Sequence, residues 1–124
     1  MPCNRKLGRH ERITEQFEYK EVIGKGTILV GKRFKAYLLI NGAVRRKAGF
    51  IAGKGVGGAC ERNRARRLLR EAYRLLKPQA VAQGFKIVFI AGRGIAKAGL
   101  GDVEADMRGM LQSCGLLTSE RQSE

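Results

Sequence analysis

Residues 53–78 read GKGVGGACERNRARRLLREAYRLLKP, a glycine-rich turn that runs into a helix carrying Arg62, Asn63, Arg64, Arg66, Arg67, Arg70, Arg74 and Lys77 against one internal acid, Glu71. At about 100° per residue, Arg62, Asn63, Arg66, Arg67, Arg70, Arg74 and Lys77 fall within an arc of roughly 140°. Ala65, Leu68, Leu69, Ala72, Leu75 and Leu76 share the opposite side. One face therefore packs and the other is a cationic ridge. Solvated helix faces tend to alternate Glu with Lys so that neighbours attract, whereas Arg62, Arg66, Arg70 and Arg74 stack like charges at i, i+4, which repel. Arginine presents a planar fork that matches phosphate and stacks on bases. The pattern points to nucleic acid.

Composition points the same way. The chain has 124 residues, 44% of them hydrophobic, enough for one domain with one core. Its 25 Lys and Arg against 11 Asp and Glu leave a net charge of +14, the balance of a protein with a polyanionic partner. No apolar run approaches the ~20 residues that span a bilayer, and the basic stretch 1–10 lacks the apolar segment of a secretory signal. A cytoplasmic protein with no membrane association is expected. Cys3, Cys60 and Cys114 are far apart and form no CxxC pair, so neither a zinc site nor a disulfide framework is indicated; Cys60 and Cys114 are read as small packing residues.

Outward from the basic helix, the order of elements decides the fold class. Residues 1–12 read as a loose basic arm. A short helix is expected over 13–23, with Thr14 as N-cap, Gly24 as stop, and Ile13, Val22 and Ile23 with Phe17 or Tyr19 to dock it. Strands are expected at 27–30, 34–40 and 48–52. Asn41-Gly42 follows the second of these, a hairpin signal because both residue types tolerate positive φ, and it predicts that the second and third strands are antiparallel neighbours. Pro78 bounds the basic helix. Residues 85–91, FKIVFIA, form the most strand-like run of the chain and predict a buried strand. A last helix begins with Asp102 as its cap and carries Val103, Met107, Met110, Leu111 and Cys114 as an apolar stripe interrupted by Gly109. The order helix, three strands, helix, strand, helix defines an α/β, or α+β, two-layer sandwich. Residues 13–117 make a single RNA-binding domain and 118–124 a polar tail, with one sheet face left at least partly open to a ligand.

Three candidate sites follow. Gly53, Gly55 and Gly58 match GxGxxG between a strand and a helix, but no acid closes the next strand, where Arg93 stands, and no further strands follow to complete a doubly wound sheet. A dinucleotide site is set aside. No catalytic constellation is present: the one histidine, His10, lies in the arm, and Asp102, Glu104 and Asp106 sit where a first helical turn uses acids against its dipole. No catalytic residue, metal ligand or cofactor of the protein alone is assigned. Tyr19, Phe34 and Tyr37 are the aromatic candidates, among Lys32, Arg33 and Lys35, the mixture that binds unpaired bases. Phe34 and Tyr37 are three apart on a strand, so one is core and the other faces out.

Arg62-Asn63-Arg64, Arg66-Arg67-Leu68 and Arg70-Glu71, preceded by Lys54 and a glycine turn, resemble the signature of the bacterial ribonuclease P protein component. The likeness runs from about Ile13 through Tyr19, Gly26 and Phe34 to Leu111. It departs from the family pattern at Gly55, Gly58 and Ile23. The resemblance implies a fold like domain 2 of ribosomal protein S5, with a left-handed βαβ crossover. It implies a ribonucleoprotein endonuclease that removes the 5′ leader of precursor tRNA, the catalytic RNA performing hydrolysis with Mg²⁺. Carried over, Lys54, Arg62, Asn63, Arg64, Arg66, Arg67 and Arg70 would face the catalytic RNA, and Tyr19, Phe34 and Tyr37 would lie along a leader-binding cleft. No obligate protein partner is implied. From charge and fold alone, a structural ribosomal or general RNA-binding protein is the alternative.

Overall fold

The computed structural model describes residues 12–13, 15–40, 47–76 and 84–115. Helix α1 spans Gln16–Lys25, strands β1 Thr27–Val30, β2 Phe34–Ile40 and β3 Lys47–Ile51, helix α2 Ala59–Leu76, strand β4 Phe85–Ala91 and helix α3 Leu100–Ser113. Short 3-10 turns at Lys54–Val56 and Ile95–Lys97 precede α2 and α3. Order and type of the elements are those the sequence predicts. Thr14, Asn41-Gly42, Lys77, Pro78, Cys3 and the tail lie outside the described residues.

The sheet order is β1-β2-β4-β3. β1 and β4 both pair antiparallel with β2, and β3 pairs parallel with β4. The expected β2–β3 neighbourship is therefore corrected: the two strands run in opposite senses, but β4 lies between them. The reason is burial. FKIVFIA is apolar on both pleat faces apart from Lys86, with Phe85, Ile87, Val88, Phe89 and Ala91 all buried, and a strand so heavily buried belongs where both faces and both edges are covered. Helix α2 makes the crossover that lets β3 and β4 run parallel.

Alternation along the strands sorts side chains into two cores. Phe34, Ala36 and Leu38 of β2 and Phe85, Ile87 and Phe89 of β4 pack with Leu69, Ala72 and Leu76 of α2 and Val103, Met107 and Leu111 of α3. Phe89 is the hub, with its ring centroid 5.8 Å from Phe34, 5.8 Å from Phe50 and 5.9 Å from Tyr73. On the other face Val88 meets Ile13 and Val22, with Tyr19, Ile23, Tyr37, Leu39 and Ile90 around them. The three helices are thus not all on one side: α2 and α3 cover one face, and α1 covers part of the other.

Two helix ends differ from expectation. Helix α1 begins at Gln16, passes through Gly24 and stops at Gly26, whose N–H bonds Val22 O at 2.7 Å. A Cβ on Gly26 would collide with Val22 O and fall 2.9 Å from Leu38 O, so the close approach of helix end to β2 requires glycine there, while Gly24 meets nothing. Asp102 is not the cap of α3 but stands in its first turn, accepting the Gly99 N–H at 3.3 Å, with Gly99 in the cap position. Cys114 packs on the main core as expected, but Cys60 is exposed, because it begins the outward row Cys60, Asn63 or Arg64, Arg67 of α2.

A contrast between glycines tests this packing. Gly109 lies in the exposed middle of α3, where an added methyl would meet nothing within 4 Å, so Gly109→Ala should raise unfolding free energy by about 1 kcal/mol. Gly26→Ala should lower it, since backbone oxygens block the Cβ. Urea unfolding of the two variants reads both signs, and a stabilised Gly26→Ala would contradict the close approach.

Candidate nucleic-acid interface

Helix α2 buries Ala65, Leu68, Leu69, Ala72, Tyr73 and Leu76, and Leu75 is half-buried. Tyr73 joins the aromatic cluster at 6.1 Å from Phe50, a core role the helical wheel did not assign it. Asn63, Arg67 and Arg70 are exposed or half-exposed, as are Arg62 and Arg66. The arginines differ in what holds them. Arg62 donates to Gly57 O at 3.2 Å, and Arg66 to Asn63 Oδ1. Arg74 is paired with Glu71 at 2.7 Å, which holds that carboxyl below its ordinary range and raises the guanidinium. Arg64 is turned away from the ridge: its Nε donates to Ala96 O at 2.7 Å and its other arm to Ala98 O at 3.3 Å, clamping the turn before α3. Arg62, Arg66 and Arg67 have no acidic partner among the described residues, and Arg70, without an ion pair of its own, helps hold the Glu71 carboxyl down by its charge.

The turn before α2 places Lys54 on the surface at the start of the 3-10 segment. Its one left-handed residue is Gly57, φ 144°, which is not among the three glycines of the GxGxxG match. The Glu61 side chain folds over the helix start, 3.2 Å from where a Gly58 Cβ would be. An acid sits where a dinucleotide would need its pyrophosphate.

Tyr19 lies flat on β3: a Cβ on Gly49 would come 2.5 Å from the ring. Its hydroxyl donates to Ile13 O at 3.1 Å, and burial pushes the phenol above its usual pKa. Tyr37 is half-buried on the same sheet face, with Lys35 Nζ 5.8 Å from its ring centre. Beyond it an open depression of about 380 Å³ is lined by Val30, Lys32, Arg33, Lys35, Ile90 and Gly92 among others. Phe34 differs from expectation: it is 3% exposed and its ring packs in the α2/α3 core, edge-on to Phe89, on the other side of the sheet from Tyr19 and Tyr37, reaching the surface only in the floor of that depression.

Sequence reasoning missed the charge network under α1. Glu18 is 6% exposed and ion-paired with Lys47 and Lys86, each at 3.1 Å, and Lys86 also reaches Glu21 at 3.4 Å. The i, i+4 spacing of Glu18 to the buried Val22 was the available signal. Burial by itself would raise the Glu18 carboxyl, but hydrogen bonds and charge from Lys47 and Lys86 outweigh it and hold the pKa below 4.5. Burial likewise opposes the charge on Lys86, and Glu18 and Glu21 raise it. Among the described residues, no group of three His, Cys, Asp or Glu could hold a metal ion, and no helix is long and apolar enough to cross a membrane.

Fold and surface together define a small basic α/β protein with an arginine-lined helix on one side of its sheet. A family model described as "Ribonuclease P" matches residues 7–115. The ribonuclease P protein component of Dehalococcoides mccartyi strain CBDB1 is 36% identical over 107 residues, 86% of this chain and 87% of that one. That of Roseiflexus castenholzii is 41% identical over 85 residues, covering 64% and 69%. The chain belongs to the ribonuclease P protein component family, and so is a subunit of the tRNA-processing ribonucleoprotein endonuclease. The solved Staphylococcus aureus protein superposes with a TM-score of 0.75 at 19% identity, covering 87% of this chain and 98% of that chain. The Thermotoga maritima protein gives 0.72 at 22% identity, covering 83% and 96%. At such identities the likeness confirms the fold.

The Glu18 network yields a pH prediction. A carboxylate whose folded pKa is depressed stabilises the fold above its unfolded pKa, and that contribution is lost as pH falls through the folded value. Stability should therefore drop below about pH 4.5. Glu18→Gln leaves two lysines facing a neutral amide, so it should cost about 3 kcal/mol at pH 7 and flatten the acid limb. Urea unfolding at a series of pH values checks both; an unchanged acid limb would remove Glu18 from the account.

Proposed function

We propose that the two faces divide the work of the holoenzyme. Lys54, Arg62, Asn63, Arg66, Arg67 and Arg70 neutralise phosphates of the catalytic RNA, and Tyr19 and Tyr37 hold the single-stranded 5′ leader of precursor tRNA. The observation that carries this reading is the uncompensated arginine face of α2, opposite a half-open sheet face bearing both tyrosines. Arg64 contributes by fixing the turn before α3, with its remaining donors free for RNA. Hydrolysis is assigned to the RNA subunit with Mg²⁺. The expected compartment is the cytoplasm, where precursor tRNA is processed.

In this arrangement the protein does what its side chains can do. Guanidinium groups lower the repulsion between RNA strands, and a tyrosine face offers every base the same stacking surface. Reconstitution tests the assignment. Purified protein added to catalytic RNA and precursor tRNA should increase leader removal at low Mg²⁺, and the protein alone should cleave nothing. Unchanged cleavage would instead favour a general RNA-binding protein.

The leader face has its own test. Stacking of one base is worth about 1–3 kcal/mol, so Tyr37→Ala should weaken holoenzyme binding of precursor tRNA roughly 5- to 150-fold and hardly change that of mature tRNA, which lacks a leader. Tyr37→Leu, which keeps apolar packing against Val88, should show the same discrimination. Equal losses for both tRNAs in a folded variant would return Tyr37 to a purely structural role.

A further inference from the structure

Strand β3 carries a glycine at its centre, on the face that α1 covers. Ala48 and Phe50 pack in the core beneath α2, so Lys47, Gly49 and Ile51 share the other face, where Lys47 meets Glu18 and Ile51 packs near Val88. Gly49 is buried, and its register partner on β4 is Val88, whose own partner on β2 is Tyr37. One row across the sheet thus runs Gly49, Val88, Tyr37. A glycine inside a strand weakens it and often marks the close approach of another group.

Here that group is the hydroxyl end of Tyr19. A Cβ at position 49 would stand 2.5 Å from Cε1 of the ring and 2.9 Å from both Cζ and the hydroxyl oxygen, all closer than atoms can pack. The same hydroxyl donates to Ile13 O at 3.1 Å, and the Ile13 N–H donates to Ala48 O at 2.9 Å. The ring is therefore held at two points: Ile13 clasps its tip, and the missing side chain of Gly49 gives the tip its place on the strand. The contrast with Gly26 is informative. Backbone oxygens crowd a Cβ there, whereas the three atoms nearest a Cβ on Gly49 all belong to the far end of one side chain. A methyl at position 49 can displace the ring and leave the backbone where it is.

We propose that Gly49 is a positioning residue for leader binding, which sets the orientation of Tyr19 by leaving its own place on β3 empty. The proposal rests on reading Tyr19 as a leader contact. Gly49 touches no RNA in this arrangement and acts only through the ring. A side chain fixed before its ligand arrives has little rotamer freedom left to lose on binding. Displacing the ring from Gly49 and breaking its bond to Ile13 removes that advantage, and the loss falls on the substrate that carries a leader.

Holoenzymes assembled with Gly49→Ala, Tyr19→Ala and the double variant, titrated with precursor and mature tRNA, test this. Gly49→Ala should lower the preference for precursor over mature tRNA roughly 2- to 12-fold, the cost of ordering one side chain. In the Tyr19→Ala background the same change should do nothing, because the colliding ring is gone. Hydrogen exchange at the Ile13 amide should quicken in Gly49→Ala, and the salt dependence of assembly with the catalytic RNA should stay as in wild type, since no cation is altered. If Gly49→Ala does not fold, the double variant should. Wild-type preference and slow Ile13 exchange in Gly49→Ala, an equal loss with and without Tyr19, or a double variant that stays unfolded would each overturn the proposal while the leader reading stands. A Tyr19→Ala holoenzyme with wild-type preference would remove the leader role of Tyr19, and the proposal with it.

Discussion

The arrangement depends on the double-sided burial of β4. Its odd residues Phe85, Ile87 and Phe89 fill the core beneath α2 and α3, while Val88 fills the smaller core beneath α1. A strand apolar on both faces has to be covered on both, and each consequence follows from that. β4 takes the centre of the sheet and forces β2 and β3 apart. Helices settle on opposite sides, and β3 is left at the edge with one surface of the protein on either side of it. The arginine face and the tyrosine face are separate because β4 separates the cores behind them.

Charge is distributed to match. Of the acids described, Glu18 and Glu21 hold Lys47 and Lys86, Asp106 holds Arg33 at 2.5 Å, Glu71 holds Arg74, and Glu104 holds Arg108. These pairs tie α1 to the sheet, the β1–β2 turn to α3, or neighbouring turns of one helix. They leave Arg62, Arg66 and Arg67 of α2 without an acidic partner among the described residues. Glu18, the one buried charge described, is spent on holding the helix that carries Tyr19.

Much of this was legible in residue order. The 3.6-residue period of α2 separated core from ridge, and FKIVFIA announced a buried strand, because both are local patterns that tertiary context reinforces. Strand adjacency was not legible. Asn41-Gly42 favours a tight turn locally, but inserting β4 between β2 and β3 buries more apolar surface than a hairpin would, and that choice depends on residues some 45 positions away. Phe34 and Tyr37 were separable by alternation alone; which of them faced the core depended on where α2 would dock. Arg64 looked like its neighbours until the turn at Ile95–Lys97 supplied carbonyls to hold it. Glu18 was hidden for the same reason, since its lysines come from β3 and β4.

The central claim is that the α2 face meets the catalytic RNA while the opposite sheet face meets the leader. Cys60 is exposed on α2 and offers a native attachment point for a photoreactive probe once Cys3 and Cys114 are replaced; a second protein can carry the probe at Tyr37→Cys with Cys60 also replaced. Crosslinking in the assembled holoenzyme with precursor tRNA then reads both faces at once. The account predicts that the Cys60 probe marks the catalytic RNA and the position 37 probe marks the leader. A Cys60 probe that marks only the tRNA, or a position 37 probe that marks only the catalytic RNA, would contradict it.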